Sequence, residues 1–197
     1  MNDVSYQDAI NSIYSVKYDF TKTRTNEDAK AEIKLFSKQL FGGRIDFPSI
    51  IVAGTNGKGS TATASESILR SCGLKTLLLT SPHIFSPKER IKINGKPIDD
   101  DVFVELYQVV MNEIQKKNIP QPYFPNFFIL MFAYLVFKFK KQNDSKVVAI
   151  IEVSIGGRFD LTKLFKPTVA VITRLDYDHM EMLGSTPYSI SWNKFGI

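Results

Sequence analysis

The chain has 197 residues, enough for one domain with a sizeable hydrophobic core. Hydrophobic residues make up 44% of it and charged residues 23%, which excludes a disordered chain. The net charge of +5 and the pI of about 9.2 favour anionic partners. Because no run of five or more Lys or Arg residues occurs, we expect small-molecule partners and no nucleic acid.

Cysteine content and hydropathy bear on the compartment. A single cysteine, Cys72, excludes an intramolecular disulfide and suits a reducing environment. The first residues lack the basic-then-apolar pattern of a secretory signal. The longest apolar run, 127–137, is shorter than the roughly 18 residues that a membrane span needs. We therefore predict a cytoplasmic protein without a membrane span, in which this run is a buried helix.

In chain order, the first elements are two capped helices. Ser5 to Asp8 and Thr25 to Asp28 both resemble capping boxes, in which a hydroxyl and an acid three residues later satisfy the first backbone N–H groups. The second helix is predicted to end at Gly42-Gly43. One of its faces would carry Ile33, Phe36 and Leu40.

Strands and helices then alternate. Short apolar runs predict four buried strands, at 49–53, 76–80, 147–153 and 168–173. Helices are predicted at 58–71, from 99 onward and at 124–140, and the proline-containing basic segment 81–97 is predicted to be a loop or hairpin. This alternation predicts an α/β fold with a mostly parallel sheet and helices on both faces.

The first motif is Gly54-Thr55-Asn56-Gly57-Lys58-Gly59-Ser60, directly after the first buried strand. Glycines allow the backbone N–H groups to face one concavity, and the following helix adds the positive end of its dipole. A lysine can contact the β and γ phosphates, and a serine hydroxyl can bind magnesium. The motif is two residues shorter than the usual phosphate-binding loop. The alternative is a glycine-rich turn, which the ordered set of strand, glycines, lysine and hydroxyl disfavours.

Two further motifs follow later strands. Glu152 lies at the C-terminal end of the predicted strand 147–153, and ligands of open α/β sheets collect at such strand ends. Its carboxylate can hold magnesium or, alternatively, form a salt bridge with Arg158. His179 follows the strand 168–173 and is a candidate metal ligand, although a lone histidine is more often structural.

A fourth motif, Thr80-Ser81-Pro82-His83, leaves another strand end and is followed by Glu89 to Gly95. Asn94-Gly95 is a strong hairpin-turn signal. The alternative interpretation of this segment is a surface hairpin with solvated charges.

Together and in this order, the four motifs resemble the folylpolyglutamate synthase and dihydrofolate synthase family of the Mur ligase group. The resemblance covers nearly the whole chain. The matching stretches are Val52 to Ser60, Thr80 to His83, Glu89 to Gly95, Glu152 to Asp160, Asp178-His179 with Leu183-Gly184, and Lys194 with Gly196-Ile197.

The resemblance implies a three-layer, P-loop type ATPase domain and an ATP-dependent ligase reaction. ATP would phosphorylate a carboxylate of a pterin-bearing substrate, folate or dihydropteroate, and the amino group of glutamate would attack the acyl phosphate. The family's substrate site would be bordered by Ser81, Pro82 and His83.

The resemblance also implies roles in catalysis and metal binding. Lys58 would hold the phosphates and Ser60 would bind one magnesium ion, while Glu152 and His179 would bind a second. Lys194 matches a lysine that is often carbamylated in such ligases. Lys58, His179 and Lys194 are accordingly the expected catalytic residues.

The chain departs from the family pattern in length and at several positions. Family members run to roughly 400 residues or more with a second domain, beyond the length of a single-domain chain. We therefore expect residues 1–197 to be a Mur-ligase-like ATP-binding domain that is incomplete at its C-terminal end, with an open sheet edge and no C-terminal ligase domain. The positions that differ are Ile129, Ser154, Leu161-Thr162-Lys163, Asn193 and Phe195.

Three functions remain in competition at this point. The first is an ATP-dependent glutamate ligase, whose isolated chain would have little activity. The second is a truncated, catalytically silent relative that binds nucleotide or a partner, and the third is an unrelated P-loop NTPase, against which the ordered motifs speak. We expect a monomer. The sequence does not separate dihydrofolate synthase from folylpolyglutamate synthase.

Overall fold

A computed structural model describes residues 4–16, 25–142 and 146–197. The helices are α1 (Tyr6–Ser15), α2 (Asn26–Phe41), α3 (Lys58–Ser71), α4 (Asp100–Lys116), α5 (Phe124–Lys141), α6 (Met180–Leu183) and α7 (Pro187–Lys194), with 3-10 turns at Pro87–Arg90 and Leu161–Leu164. The strands are β1 (Ile45–Asp46), β2 (Ser49–Ala53), β3 (Lys75–Leu79), β4 (Ile91–Ile93), β5 (Lys96–Pro97), β6 (Val147–Glu152), β7 (Phe165–Lys166) and β8 (Val169–Ile172).

The main sheet has six strands in the order β5-β4-β3-β6-β2-β8. β3, β6, β2 and β8 are parallel, whereas β4 and β5 are antiparallel. The parallel strands therefore end at the same edge of the sheet. Loops leave this edge after Ala53, Leu79, Glu152 and Ile172, so the four sequence motifs begin side by side.

Alternating strand residues pack against two helical layers, as the period of a strand requires. Ile51, Leu77 and Ile151 face the larger core, which includes residues of α1, α2, α4 and α5. Val52 and Ile150 face the other side, where they pack against Ala62 of α3. The predicted α/β class, the mostly parallel sheet and the helices on both faces are confirmed.

Most predicted elements are confirmed within one or two residues. β2 and α3 have the predicted bounds, and both N-terminal capping boxes form. α2 ends where glycine was predicted to stop it, with Gly42 in the left-handed region at a φ of 70°. The predicted buried helix is α5, and no helix within the described ranges is long and apolar enough to span a bilayer.

The prediction of a buried strand at 168–173 is wrong in one respect. β8 forms, but Val169 and Ala170 are exposed because the strand lies at the sheet edge and pairs only with β2. The segment 81–97 does contain the predicted hairpin. The structure adds that β4 of this hairpin pairs with β3 and so extends the main sheet.

Candidate functional site

The phosphate-loop sequence forms a backbone concavity between β2 and α3. Gly54 has a φ of 144° and Gly57 a φ of 85°, both conformations that favour glycine. Gly57 is the N-cap of α3 and has no capping side chain, so the first N–H groups of the helix remain available to an anion. Ser60 lies exposed in this first turn.

The segment after β8 supports the loop. The N–H of Thr55 donates to the carbonyl oxygen of Arg174 at 2.9 Å. The Thr55 hydroxyl donates to the Asp176 carbonyl oxygen and accepts from the Asp176 N–H, each at 3.0 Å. Asp176 lies three residues before His179 in the sequence. Its role in holding the loop depends on a pairing across 121 positions that no local pattern indicates.

Two lysine ammonium groups point at carbonyl oxygens of this loop. Lys58 Nζ donates to Thr55 O at 3.1 Å, and Lys194 Nζ donates to Gly54 O at 2.7 Å. Lys194 is buried, with a relative exposure of 1%. Burial lowers the pKa of Lys194, the charge of Lys58 lowers it further, and Asp178 raises it. The structure thus brings together Lys58 and Lys194, two of the three expected catalytic residues.

Glu152 ends β6 beside the loop. Its carboxylate is buried and accepts the Ser81 N–H at 2.8 Å. A Cβ added at Gly59 would lie 3.3 Å from Glu152 Oε2, so the loop backbone approaches the carboxylate closely. Burial raises the pKa of Glu152, and the Ser81 amide, Lys58 and Arg90 oppose this shift. An acid in this position can hold a cation next to bound phosphates.

His179 lies apart from any acid cluster. It adopts the left-handed conformation with a φ of 45° and precedes the four-residue helix α6. Its Nε2 is 3.5 Å from Asp178 Oδ1. Across the described ranges, no three His, Cys, Asp or Glu side chains are grouped so that they could hold a metal ion. The assignment of His179 and Glu152 to one magnesium ion therefore stays a prediction.

A loop after β6 seats the helix that carries Lys194. The Arg158 N–H donates to Asn193 O at 2.8 Å, and its Nε donates to Trp192 O at 3.1 Å. The Arg158 guanidinium lies 4.0 Å from the centre of the Trp192 ring. A Cβ added at Gly157 would lie 3.1 Å from Lys194 O. These contacts fix α7 so that Lys194 reaches Gly54.

The expected substrate loop begins with a cis Ser81–Pro82 peptide bond. His83 lies further along the loop, where its Nδ1 accepts from Arg90 Nε at 2.9 Å. Ile84 and Phe85 follow with side chains that are 80% and 92% exposed. The two adjacent apolar side chains are therefore accessible for contact with a ligand.

Glu89 holds this loop through backbone amides. Its carboxylate accepts the N–H groups of Ile84, Phe85 and Ser86 at 2.9, 3.1 and 2.8 Å. These hydrogen bonds lower the pKa of Glu89, and the bond from the Ile84 N–H has the largest effect.

We predict that lowering the pH releases the loop over 84–86. A depressed carboxyl pKa stabilises the folded state above the ordinary glutamate pKa, and the effect is lost as the pH falls through the lowered value. The amide resonances of Ile84, Phe85 and Ser86 are therefore expected to shift together, with one midpoint below the ordinary glutamate range. Glu89→Gln should remove this common transition, and three independent midpoints in the native chain would contradict the prediction.

The positions that differ from the family pattern have varied surroundings. Ile129 and Leu161 are buried in the main core. Asn193 Nδ2 donates to Leu183 O at 3.2 Å, and Phe195 is exposed. Burial of Ile129 and Leu161 among apolar side chains gives them a packing role.

No family model matches the chain. Among curated proteins, it is 34% identical to a folylpolyglutamate synthase of Arabidopsis thaliana over 98% of its length. It is also 34% identical to a mitochondrial folylpolyglutamate synthase of Cricetulus griseus, again over 98% of the chain. The chain spans 32% and 35% of these two relatives.

Solved structures of folylpolyglutamate synthases also resemble nearly the whole chain. The apo form of the L. casei folylpolyglutamate synthase superposes with a TM-score of 0.80 at 31% identity. A folylpolyglutamate synthase complex with AMPPCP and folate superposes with a TM-score of 0.81 at 32% identity. Both matches cover 98% of this chain and 45% of the solved one.

Proposed function

The chain belongs to the folylpolyglutamate synthase family and corresponds to the N-terminal domain of its members, and we propose that it binds the phosphates of ATP for a glutamate-folate ligase reaction. The observation that carries this proposal is the concavity formed by residues 54–60. It combines two glycines in the left-handed region, the uncapped N-terminus of α3 and the Lys58 ammonium group. Each of these features favours a polyanion.

In the proposed reaction, ATP transfers its terminal phosphoryl group to a substrate carboxylate and leaves as ADP. The amino group of glutamate then attacks the acyl phosphate, which forms an amide and releases phosphate. The residues of this chain contribute position and charge, which phosphoryl transfer chiefly needs. Lys58 now donates to a loop carbonyl 3.1 Å away, and exchanging this neutral partner for a phosphate oxygen gives a stronger, charge-assisted bond. Lys194 holds the Gly54 carbonyl and thereby the start of the loop.

Magnesium is the proposed metal, because it prefers oxygen ligands such as a hydroxyl and a carboxylate. Ser60 would offer its hydroxyl from the first turn of α3, and Glu152 would offer the carboxylate that faces Gly59. His179 follows β8 at the same edge of the sheet, which supports its assignment as a further ligand. We keep Ser60, Glu152 and His179 as the proposed metal ligands, and Lys58, Lys194 and His179 as the proposed catalytic residues.

Folate is the proposed pterin substrate, because the relatives compared with this chain are folylpolyglutamate synthases. Ser81, Pro82 and His83 would border it, since Ser81 also binds Glu152 and so joins the substrate loop to the phosphate site. The retained Lys58, Glu152 and Lys194 favour the ligase over a catalytically silent relative. We propose a monomeric ATP-binding domain and a cytoplasmic location, while a mitochondrial form is known from Cricetulus griseus.

A titration with magnesium-ATP tests the phosphate assignment. Lys58→Ala is expected to weaken binding at least tenfold, which corresponds to about 1.4 kcal/mol, because a charge-assisted bond is lost. Lys96→Ala removes an exposed lysine from β5 and is the matched control, which should bind as tightly as the native chain. Equal affinity in Lys58→Ala and the native chain would remove the basis of the proposed function.

A further inference from the structure

Arg90 is a buried cation packed between aromatic rings. Its relative exposure is 8%, and its guanidinium carbon lies 4.9 Å from the centre of the Phe124 ring and 5.2 Å from that of Phe128. Both rings belong to α5; Phe128 is buried in the main core and Phe124 is partly buried and packs against it. Cation–π contacts of this kind hold the guanidinium plane in one place. The direction of the Arg90 Nε–H bond is therefore set by the core and not by solvent.

That bond determines where the proton of His83 lies. Arg90 Nε is 2.9 Å from His83 Nδ1. A guanidinium nitrogen only donates and stays protonated in proteins, so Nδ1 must be the acceptor and carries no proton. A neutral imidazole has one N–H group, which leaves the proton on Nε2. Protonating both ring nitrogens would set two N–H groups against each other.

The Nε2 side of the His83 ring, opposite Arg90, faces the protein surface. His83 Nε2 is 3.4 Å from the Tyr14 hydroxyl, which accepts from it weakly at this distance. Tyr14 is 46% exposed and stacks on Phe124 with ring centres 4.5 Å apart. Both hydrogen-bond partners of His83 thus pack on Phe124, and the Nε2–H group lies at the rim of the substrate loop.

The surrounding charges agree with a neutral ring. Burial lowers the pKa of His83, the charge of Arg90 lowers it further, and Glu89 raises it.

We propose that Arg90 is a positioning residue that fixes His83 as its Nε2–H tautomer, so that the substrate loop presents a neutral hydrogen-bond donor. The ligand group that meets His83 is then an acceptor, such as a carbonyl oxygen or an unprotonated ring nitrogen. It is not an anion held by an imidazolium. The ligand step rests on the proposed function, whereas the tautomer rests on the contacts of Arg90 alone.

Nitrogen NMR of the histidine rings tests the tautomer without any substrate. The chain has two histidines, so His83→Gln assigns both ring systems in a long-range ¹H–¹⁵N spectrum. In the native chain at neutral pH, His83 Nδ1 is expected at the shift of an unprotonated nitrogen and Nε2 at that of a protonated one. The reverse pattern, or a mixture of the two tautomers, would overturn the proposal.

Two variants separate Arg90 from Tyr14. Arg90→Lys keeps a positive charge but lacks the Nε–H donor, and it should turn His83 into a mixture of tautomers while His179 is unchanged. Tyr14→Phe removes the acceptor on the other side and should leave the native tautomer in place. A tautomer that persists in Arg90→Lys, or that is lost in Tyr14→Phe, would show that Arg90 does not set it.

The ligand step has its own readout. Added folate is expected to shift the Nε2 resonance of His83 and its bound proton more than the Nδ1 resonance. Equal shifts at both nitrogens, or none up to the solubility of folate, would overturn the donor role even if the tautomer is as proposed. This experiment contains no magnesium-ATP. Its outcome is therefore independent of the titration that tests phosphate binding by Lys58.

Discussion

Gly54→Ala is expected to lower the affinity for magnesium-ATP at least a hundredfold, a loss of about 2.7 kcal/mol. The added Cβ would lie 1.9 Å from Thr173 Oγ1 and 3.1 Å from the Thr173 backbone nitrogen. Thr173 cannot move away freely, because its N–H donates to Ala53 O at 2.8 Å. The methyl group must therefore displace the loop, and with it the carbonyl that Lys194 holds.

The expected loss of nucleotide affinity in Gly54→Ala is due to the steric overlap and not to backbone strain alone. Gly43 provides a control that separates the two effects. Gly43 has a φ of 143°, nearly the same as the 144° of Gly54, but a Cβ added at Gly43 meets nothing within 4 Å. Gly43→Ala should therefore lose about 1–3 kcal/mol of folding free energy through backbone strain, as Gly54→Ala does. Its affinity for magnesium-ATP should equal that of the native chain. Calorimetric titration measures the affinities, and circular dichroism confirms that each variant is folded. Native-like binding by Gly54→Ala would refute the steric argument.

The local part of the site was predictable from the sequence. The apolar run 49–53, the glycines after it and the helix-forming residues up to Ser71 lie next to one another, and their signals are independent of the rest of the chain. β2 and α3 accordingly have their predicted bounds. The strand end at Glu152 was predictable for the same reason.

Contacts between distant segments were not predictable from such patterns. Lys194 reaches Gly54 across 140 positions, and the family resemblance indicated its importance without indicating this carbonyl partner. The exposure of β8 depends on how many neighbours the strand has, which its apolar sequence does not encode. β1 and β7, which pair in parallel, have two residues each, too few for any periodicity.

Gly196→Ala is expected to destabilise the fold and to release Lys194 from its buried position. A Cβ added at Gly196 would lie 2.2 Å from Arg158 Cβ and 2.4 Å from Arg158 Cα. Since one of these atoms belongs to the backbone, no change of side-chain rotamer relieves the overlap. We expect a loss of about 1–3 kcal/mol in the free energy of unfolding, as for other overpacked sites.

The consequence for Lys194 follows from the hydrogen bonds around this contact. Lys163 Nζ donates to Gly196 O at 2.7 Å, and the Arg158 N–H donates to Asn193 O at 2.8 Å, so the end of α7 is tied to the segment after β6. Moving the two apart draws the Lys194 backbone away from the phosphate loop. Its ammonium group then leaves Gly54 O and becomes accessible to solvent.

Amine labelling followed by mass spectrometry measures this release directly. Lys194 should be protected in the native chain, and its labelling rate should rise at least tenfold in Gly196→Ala, whereas the exposed Lys96 is labelled equally in both. Phe195→Ala changes the adjacent residue, whose side chain is 60% exposed, and should leave Lys194 protected with a stability change within about 0.5 kcal/mol. If Lys194 stayed protected in Gly196→Ala at native stability, the segment after β6 would not be what holds Lys194 against the phosphate loop.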